Sequence, residues 1–233
     1  MDIKVLASGS KGNCYVIDDG SSMLLIDAGI SVKDINVGTG FRLHAVDGCL
    51  ISHAHKDHSK SAEKLTKFGV DIYTSQGTID VCKLSGHRIK RIKKLEKISI
   101  GGYEVLPFDV EHDVPEPFGF VIKSNYTGEK LLYFTDTYYV KYRFPGMNYI
   151  MAECNYDIEV MKANVETGYI PAFLAKRLFS SHMSIAVLLE FLMANDLSNL
   201  RHVYLLHISE SNSDIVFFKS EVQKLTGAEV HIC

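Results

Sequence analysis

The chain has 233 residues, of which 46% are hydrophobic and 23% charged, and its formal net charge is −3. It is too apolar for a disordered protein, and its small negative charge excludes a polybasic nucleic-acid binder as a description of the whole chain. This length fits one sizeable domain, which we expect to span residues 1–233. The five cysteines form no C-x-x-C pair, which indicates a reduced protein without a disulfide framework.

Apolar segments in this chain are short. The most apolar one, residues 185–194, is interrupted by Glu190 and is far shorter than the roughly 20 residues that span a bilayer. The first residues, MDIKVLASGSKGN, reach Gly and Lys too soon for the apolar region of a signal peptide. We therefore expect a cytoplasmic protein with no membrane partner, and a homodimer is the base-rate expectation for its assembly.

Predicted strands and helices are mixed along the whole chain. Short apolar runs predict strands at residues 3–6, 15–17, 23–26, 49–52, 71–73, 98–100, 104–106, 118–122, 131–135, 203–206 and 230–232. Helical patterns occupy residues 60–68, 76–84, 169–179, 184–194 and 213–225. Such a mixture predicts a layered α/β domain with the sheet inside and the helices outside.

The most informative segment lies between the predicted strand at 49–52 and the predicted helix at 60–68. It holds four metal-competent side chains within six positions: His53, His55, Asp57 and His58. Imidazole and carboxylate groups bind zinc and similar divalent ions. His53 and His55 are two residues apart, so they project to the same side of an extended chain and can share one metal. Asp57 and His58 follow a turn and could face a second metal; the alternative is a surface loop rich in histidine.

This H-x-H-x-D-H run, with Asp27 in the preceding LIDAG segment, resembles the metallo-β-lactamase-fold superfamily. Three further landmarks follow in the order that the family requires. His112 stands in DVEHD, Asp136 ends a strand in the sequence TDT, and His207 follows the apolar run VYLL. The resemblance implies a four-layer αββα sandwich in a single domain.

The resemblance also implies two divalent metal ions, either Zn²⁺ or Mn²⁺. Carried over position by position, seven ligands form two sets that share a bridging carboxylate: His53, His55 and His112 for one ion, Asp57, His58 and His207 for the other, and Asp136 between them. Asp27 would orient one of these ligands by hydrogen bonding.

Further segments resemble the WalJ/YycJ-like branch of this superfamily, which comprises small cytosolic proteins regarded as exonucleases on single-stranded DNA. These segments are LASGSKGNC at 6–14, MAECNYD at 151–157, SHMS at 181–184 and HISESN at 207–212. Tyr156 departs from the pattern, because a histidine is expected there. The polar residues of these segments that are candidates for substrate binding are Ser8, Ser10, Asn13, Asn155 and Asn212.

The implied chemistry is the hydrolysis of a phosphodiester. Two divalent ions roughly 3.5–4 Å apart can generate a bridging hydroxide and stabilise an in-line displacement at phosphorus. Asp57 is the candidate to orient or deprotonate the attacking group. His182 is the candidate to steady a phosphoryl oxygen or to protonate the leaving oxygen, and the alternative is that it merely lies near a capped helix start.

A basic segment at residues 83–97 holds seven Lys or Arg residues and one Glu, a local charge of +6. It could follow a nucleic-acid backbone, or it could be a solvated face. Three alternatives to a nuclease on single-stranded DNA also stay open. They are a phosphodiesterase for small diesters such as cyclic nucleotides, a thioester hydrolase of the glyoxalase type, and a metal-binding protein that hydrolyses nothing.

Overall fold

The computed structural model describes all 233 residues. The chain forms two compact units. Unit 1 comprises Met1–Asp109 and Val114–Glu129, and unit 2 comprises Val110–Asp113 and Lys130–Cys233. None of the helices has both the length and the apolar character that crossing a membrane requires.

Unit 1 contains a six-stranded sheet in the order of the sequence. Its strands are β1 (Asp2–Ala7), β2 (Cys14–Asp18), β3 (Met23–Ile26), β4 (Val46–Leu50), β5 (Ile72–Thr74) and β6 (Ile89–Arg91). The first three are antiparallel, and β3 to β6 are parallel. Strands β2 and β3 are buried almost throughout, which explains the unbroken apolar runs CYVI and MLLI in place of an alternating pattern.

Four short helices complete the α/β part of unit 1. They are α1 (Val32–Gly38), α2 (Lys56–Ser59), α3 (Ala62–Thr66) and α4 (Gln76–Cys82). Ser31 and Ser75 cap α1 and α4, because each serine side chain accepts a hydrogen bond from a backbone N–H of the first turn. The unit also holds an antiparallel meander of β7 (Ile98–Ile100), β8 (Tyr103–Asp109) and β9 (Phe118–Ser124).

Unit 2 contains four parallel strands in the order β13-β12-β11-β10. The strands are β10 (Lys130–Phe134), β11 (Tyr149–Glu153), β12 (His202–Leu206) and β13 (Glu229–Ile232). The helices are α5 (Ile158–Glu166), α6 (Ala172–Ser181), α7 (Ile185–Met193) and α8 (Ile215–Thr226). In both units, parallel strands end at the segments that carry the candidate ligands, the usual place for chemistry in α/β folds.

The structure differs from the predicted elements at one point that concerns the site. A helix was expected only after the histidine-rich segment, but α2 begins at Lys56. Asp57 and His58 therefore lie in the first turn of a helix, and His55 is the residue that precedes it, with an extended backbone. The residue before α2 is a histidine that makes no side-chain capping hydrogen bond, so the sequence lacks the Ser, Thr, Asp or Asn that usually marks a helix start.

Candidate metal centre

The histidine-rich segment of unit 1 brings its ligand atoms together in two pairs. The Nε2 atom of His53 lies 3.2 Å from Nδ1 of His55. The Nε2 atom of His58 lies 3.6 Å from a carboxylate oxygen of Asp57. His53 and His58 are buried, whereas the other two side chains are partly exposed. The spacing of the sequence thus places an imidazole pair on the extended chain and an imidazole–carboxylate pair on α2.

Asp27 orients the ligand segment through hydrogen bonds to Ser52 and His58. Its carboxylate is fully buried and accepts hydrogen bonds from the Ser52 N–H at 2.8 Å and the Ser52 hydroxyl at 3.0 Å. It also accepts from Nδ1 of His58 at 2.7 Å, which leaves Nε2 of that ring to bind a metal. Ser52 contacts Nδ1 of His53 at 3.0 Å as well. Our sequence prediction included Asp27 but missed Ser52, whose signal is its place directly before the first histidine.

Asn13 supports the same loop from the glycine-rich turn. Its N–H donates to the carbonyl of Asp57 at 2.7 Å, and its side-chain nitrogen lies 3.0 Å from Nε2 of His58. The side-chain nitrogen also donates to the carbonyl of Gly9 at 3.0 Å, so it keeps an acceptor when a metal takes the imidazole lone pair. Asn13 is fully buried. Its contacts support the ligand loop, and its predicted role in substrate binding stays a prediction.

Gly29 lies in close contact with both Asn13 of the glycine-rich turn and Asp57 of α2. A Cβ atom at Gly29 would lie 1.6 Å from the carbonyl oxygen of Asp57. The Gly29 N–H donates to the carbonyl of Asn13 at 2.9 Å, in the same contact. Only glycine fits here, which explains the last residue of the LIDAG segment in physical terms.

In unit 2, the carboxylate of Asp136 faces two imidazoles. One oxygen lies 3.8 Å from Nε2 of His112, and the other lies 3.7 Å from Nε2 of His207. These distances are too long for hydrogen bonds. They match the spacing of two ligand atoms that each lie about 2.0–2.2 Å from a shared ion. The donor set therefore fits divalent metal ions, and each carboxylate oxygen has its own imidazole partner, as in a bridging ligand.

Three of the site residues adopt a left-handed backbone conformation, which residues other than glycine rarely adopt. The φ angles are 57° at Asp27, 48° at Asp136 and 53° at His207. Each residue follows within two positions of a strand end. Such conformations cost about 1–3 kcal/mol each and persist only where the surrounding contacts impose them. Backbone strain is therefore present in the turns that orient these two carboxylates and the imidazole.

Glu153 is the central buried group of the unit 2 site, and our sequence prediction missed it. It ends β11, is fully buried, and accepts a hydrogen bond from the N–H of Thr137 at 2.8 Å. Its other oxygen lies 2.6 Å from Nδ1 of His182 and 3.6 Å from Nδ1 of His207. Glu153 thus holds the turn after Asp136, orients the imidazole of His182 by a hydrogen bond and lies near that of His207. A charged residue at the end of an apolar strand is the only sequence signal for it.

His182 lies beside these groups and carries a proton at neutral pH. Its ring stacks on that of His207, with centroids 5.2 Å apart and planes within 10°. Burial disfavours the charged ring, but the carboxylate of Glu153 outweighs burial and raises the pKa of His182 to about 9. One donor atom each of Asp136, Glu153, His182 and His207 lies within 4.8 Å of the others. The structure therefore brings His182 into contact with Glu153 and His207, and its part in catalysis stays a prediction.

The other predicted substrate contacts divide into two kinds. Asn155 donates to the carbonyl of His207 at 2.6 Å, and Asn212 accepts from Asn164 at 2.9 Å, so both asparagines help to shape the loop around His207. Asn212 is almost fully buried, and its predicted substrate contact stays a prediction. Asn155 keeps a carbonyl oxygen without a hydrogen-bond partner. Ser8 is half-buried and Ser10 is exposed, so their predicted role stays a prediction.

Tyr156, at the position where a histidine was expected, is part of the core of unit 2. It is 4% exposed and packs with Met161 and Ala175. Its ring meets Phe179 edge to face at 5.4 Å. Burial raises the pKa of Tyr156 to about 12. The departure from the branch pattern therefore replaces a polar side chain by a packing residue and removes no proposed ligand.

The comparisons with known proteins agree with this arrangement. The family model for the beta-lactamase superfamily domain matches residues 23–208. The chain is 29% identical over 231 residues to exodeoxyribonuclease YycJ of Bacillus anthracis, covering 91% of this chain and 84% of the relative. It is 28% identical over 226 residues to exodeoxyribonuclease WalJ of Streptococcus pneumoniae, covering 90% of this chain and 82% of the relative.

Among solved structures, the metallo-beta-lactamase fold protein YhfI from Bacillus subtilis is similar over 99% of this chain and 95% of its own. The TM-score is 0.75 at 15% sequence identity, so this likeness concerns the fold. The predicted α/β fold of metallo-β-lactamase type is confirmed, and so is the resemblance to the WalJ/YycJ-like proteins. The predicted class of metal-dependent hydrolase agrees with both findings. The chain belongs to the beta-lactamase superfamily.

Expected effect of losing the Asp27 support

Replacing Asp27 by asparagine is expected to weaken metal binding by about 10- to 100-fold, the usual effect of losing a group that orients a metal-binding histidine. One oxygen of Asp27 accepts from the Ser52 N–H and the other from Nδ1 of His58, whereas an amide has only one acceptor atom. The affinity is measured by competition with a Zn²⁺ chelator, and thermal unfolding of the metal-free protein reports on the fold.

Asp19→Asn is the matched control. Asp19 is also buried and accepts from the N–H groups of Ser21 and Ser22, but it lies at the opposite end of β3 from Asp27. We expect Asp19→Asn to lower the stability of the fold and to leave the metal affinity unchanged. Equal affinities in the two variants would show that Asp27 does not act on the ligands.

Proposed function

We propose that this protein is a two-metal phosphodiesterase that acts as an exonuclease on single-stranded DNA. The observation that carries the proposal is the carboxylate of Asp136, whose two oxygens each face a different imidazole, as a ligand shared by two ions requires. The substrate class is supported by the relatives, since both are named exodeoxyribonucleases. Two-metal sites that clamp attacking and leaving oxygens are typical of nucleases and phosphatases.

The proposed ligands follow the order of the family. One ion, Zn²⁺ or Mn²⁺, would be held by three imidazoles, those of His53, His55 and His112. The other would be held by Asp57, His58 and His207, and the carboxylate of Asp136 would be shared. When bound, the two ions lower the pKa of a water molecule between them and neutralise charge on the phosphate.

The chain's own side chains do the rest of the chemistry. Asp57, on the first turn of α2, orients the attacking water and accepts its proton. His182 is protonated because Glu153 holds its Nδ1 at 2.6 Å, and it gives a proton to the leaving oxygen. A single domain over residues 1–233, a cytoplasmic location and a homodimer stay predictions.

A cavity in unit 1 is the candidate contact surface for a polyanionic substrate. It has a volume of about 520 Å³, and its lining combines three cations of the basic segment, Arg91, Lys93 and Lys94, with three carboxylates and Phe118. The N–H of Phe118 donates to the carbonyl of Ser52 at 2.9 Å, directly before the first histidine ligand. The proposed role of these cations is to neutralise phosphates that flank the cleaved one, in competition with the ion pairs of Lys93 with Glu96 at 3.3 Å and of Lys94 with Asp109 at 3.8 Å.

The three cations of this cavity give a quantitative prediction for the salt dependence of DNA binding. Replacing Arg91, Lys93 and Lys94 together by alanine is expected to reduce the slope of log K against log salt by about 2, because each phosphate contact on a single strand contributes about 0.7. The measurement is a salt titration of the binding of single-stranded DNA. Lys60, Lys64 and Lys67, which are exposed in unit 1 but do not line the cavity, form the control triple variant with the same charge change. An unchanged slope in the first variant would show that the basic segment is a solvated face.

The proposed activity is tested on end-labelled single-stranded DNA with Mn²⁺ or Zn²⁺. We expect progressive shortening that disappears in Asp57→Ala, and the ladder of products shows the direction of digestion. The same samples are tested on a cyclic nucleotide. Intact DNA together with cleavage of the cyclic nucleotide would overturn the nuclease and favour a small-diester phosphodiesterase.

A further inference from the structure

A second group of metal-competent side chains lies in unit 2 at the other ends of its parallel strands. His202 opens β12 and Glu229 opens β13, whereas Asp136, Glu153 and His207 stand at the carboxyl ends of their strands. Five residues of strand separate His202 from His207, which corresponds to about 16 Å. This group therefore belongs to a different edge of the sheet from the proposed catalytic residues.

The register of β12 and β13 places three side chains on one face. His202 is the direct neighbour of Glu229 in the parallel pair. His231 lies two residues beyond Glu229 on the same strand, and side chains two apart project to the same face of a sheet. The sequence E-x-H at the start of an edge strand is thus paired with a histidine on the adjacent strand.

The donor atoms of this group have the mutual distances of metal ligands. Nδ1 of His202 lies 3.2 Å from Nε2 of His231 and 3.5 Å from a carboxylate oxygen of Glu229. The other oxygen of Glu229 lies 3.9 Å from Nε2 of His231. Ligand atoms about 2.0–2.1 Å from a tetrahedral ion lie roughly 3.3 Å from one another. All three donors can therefore reach one ion after small rotations of the carboxylate.

Two tyrosines hold the imidazole rings in these orientations. Tyr149 stacks on His202 with planes within 8°, and Tyr204 stacks on His231 at 4.4 Å between centroids. Ligands whose rings are already oriented lose little conformational entropy when they bind. The side chains of His202 and His231 are 30% and 32% exposed, so a solvent molecule can supply a fourth ligand.

We propose that His202, Glu229 and His231 form an additional binding site for a transition-metal ion, with Zn²⁺ as the physiological candidate. Two imidazoles and one carboxylate favour zinc, copper and nickel over magnesium or calcium. An ion at this place links β12 to β13, the edge strand of the four parallel strands of unit 2. Its effect is therefore on the stability of this edge, and it takes no part in the proposed hydrolysis.

The test is a count of bound metal in the intact protein. Wild type, His231→Gln and Glu229→Gln are dialysed against the same low-micromolar Zn²⁺ and analysed for metal per chain, and thermal unfolding is followed with and without Zn²⁺. We expect wild type to hold one ion more than either variant. We also expect an additional rise in Tm with Zn²⁺ of about 5 °C that both variants lack. His44→Gln and His87→Gln, which change exposed histidines outside both groups, serve as controls.

The hydrolysis assay on the same samples separates this proposal from the proposed function. The variants at His231 and Glu229 are expected to cleave DNA at the wild-type rate. Glu229 is exposed, so its variant folds even if the histidine variant does not. An equal metal count and an equal Zn²⁺ response in wild type and Glu229→Gln would overturn the site, whatever the protein hydrolyses.

Discussion

Asp57→Ala is expected to lower kcat/KM on single-stranded DNA by about 10²- to 10⁴-fold, the range for a residue that transfers a proton in the transition state. The fold should survive, because the contact that anchors this turn uses the backbone. The carbonyl of Asp57 accepts from the N–H of Asn13 at 2.7 Å, and alanine keeps that carbonyl. The rate is measured at saturating Mn²⁺, and thermal unfolding shows that the variant is intact.

Two further variants define what this loss means. Lys56→Ala changes the exposed residue beside Asp57 on α2 and should stay within about twofold of wild type, as expected for a surface substitution. His58→Ala should lose activity as Asp57→Ala does, and it should also lower Tm, because His58 is fully buried against Asp27. Full activity in either ligand variant would contradict the proposed second metal site.

The sequence alone identifies the histidine-rich segment because its chemistry is local. His53, His55, Asp57 and His58 stand within six positions, so neither the sheet nor the units need be known to see them. The later ligands are different in kind. A histidine or aspartate at a strand end is common in any α/β protein, and His112, Asp136 and His207 stand out only through the order that the family imposes.

Support residues escape sequence reasoning because their partners are distant along the chain. Glu153 contacts His182 across 29 positions, and Asp27 contacts His58 across 31. No local pattern marks Glu153 as anything but the end of an apolar strand. Asn13 has a supporting contact of the same kind: its side-chain nitrogen lies 3.0 Å from Nε2 of His58, 45 positions along the chain, and local sequence does not show this contact.

Among the elements absent from the sequence prediction, two were missed for reasons that can be stated physically. Strand β6 has the sequence IKR inside the basic segment, and its charges hide the strand because β6 is an edge strand with a solvated side. Helix α5 begins at Ile158 after Asp157, whose side chain accepts from two backbone N–H groups. Asp157 is the last residue of the MAECNYD segment, which was interpreted as a family motif and not as the start of a helix.

His182→Gln is expected to lower kcat on DNA by about 10²- to 10⁴-fold, because the leaving sugar oxygen is a poor leaving group without a proton. On bis(p-nitrophenyl) phosphate the loss should be far smaller, since p-nitrophenolate leaves without protonation. His182 is only partly buried, so its variant is expected to fold. The comparison of the two substrates is the measurement, with metal content and Tm determined on the same protein.

The pattern across substrates distinguishes the two predicted roles of His182. A proton donor to the leaving oxygen gives a loss that depends on the leaving group, whereas a group that steadies a phosphoryl oxygen gives the same loss on both substrates. Glu153→Gln should reproduce the dependence on the leaving group, because the carboxylate of Glu153 is what keeps His182 protonated and in place at 2.6 Å. Equal losses on both substrates in His182→Gln would therefore show that the histidine contacts the phosphoryl oxygen. In that case, water protonates the leaving oxygen.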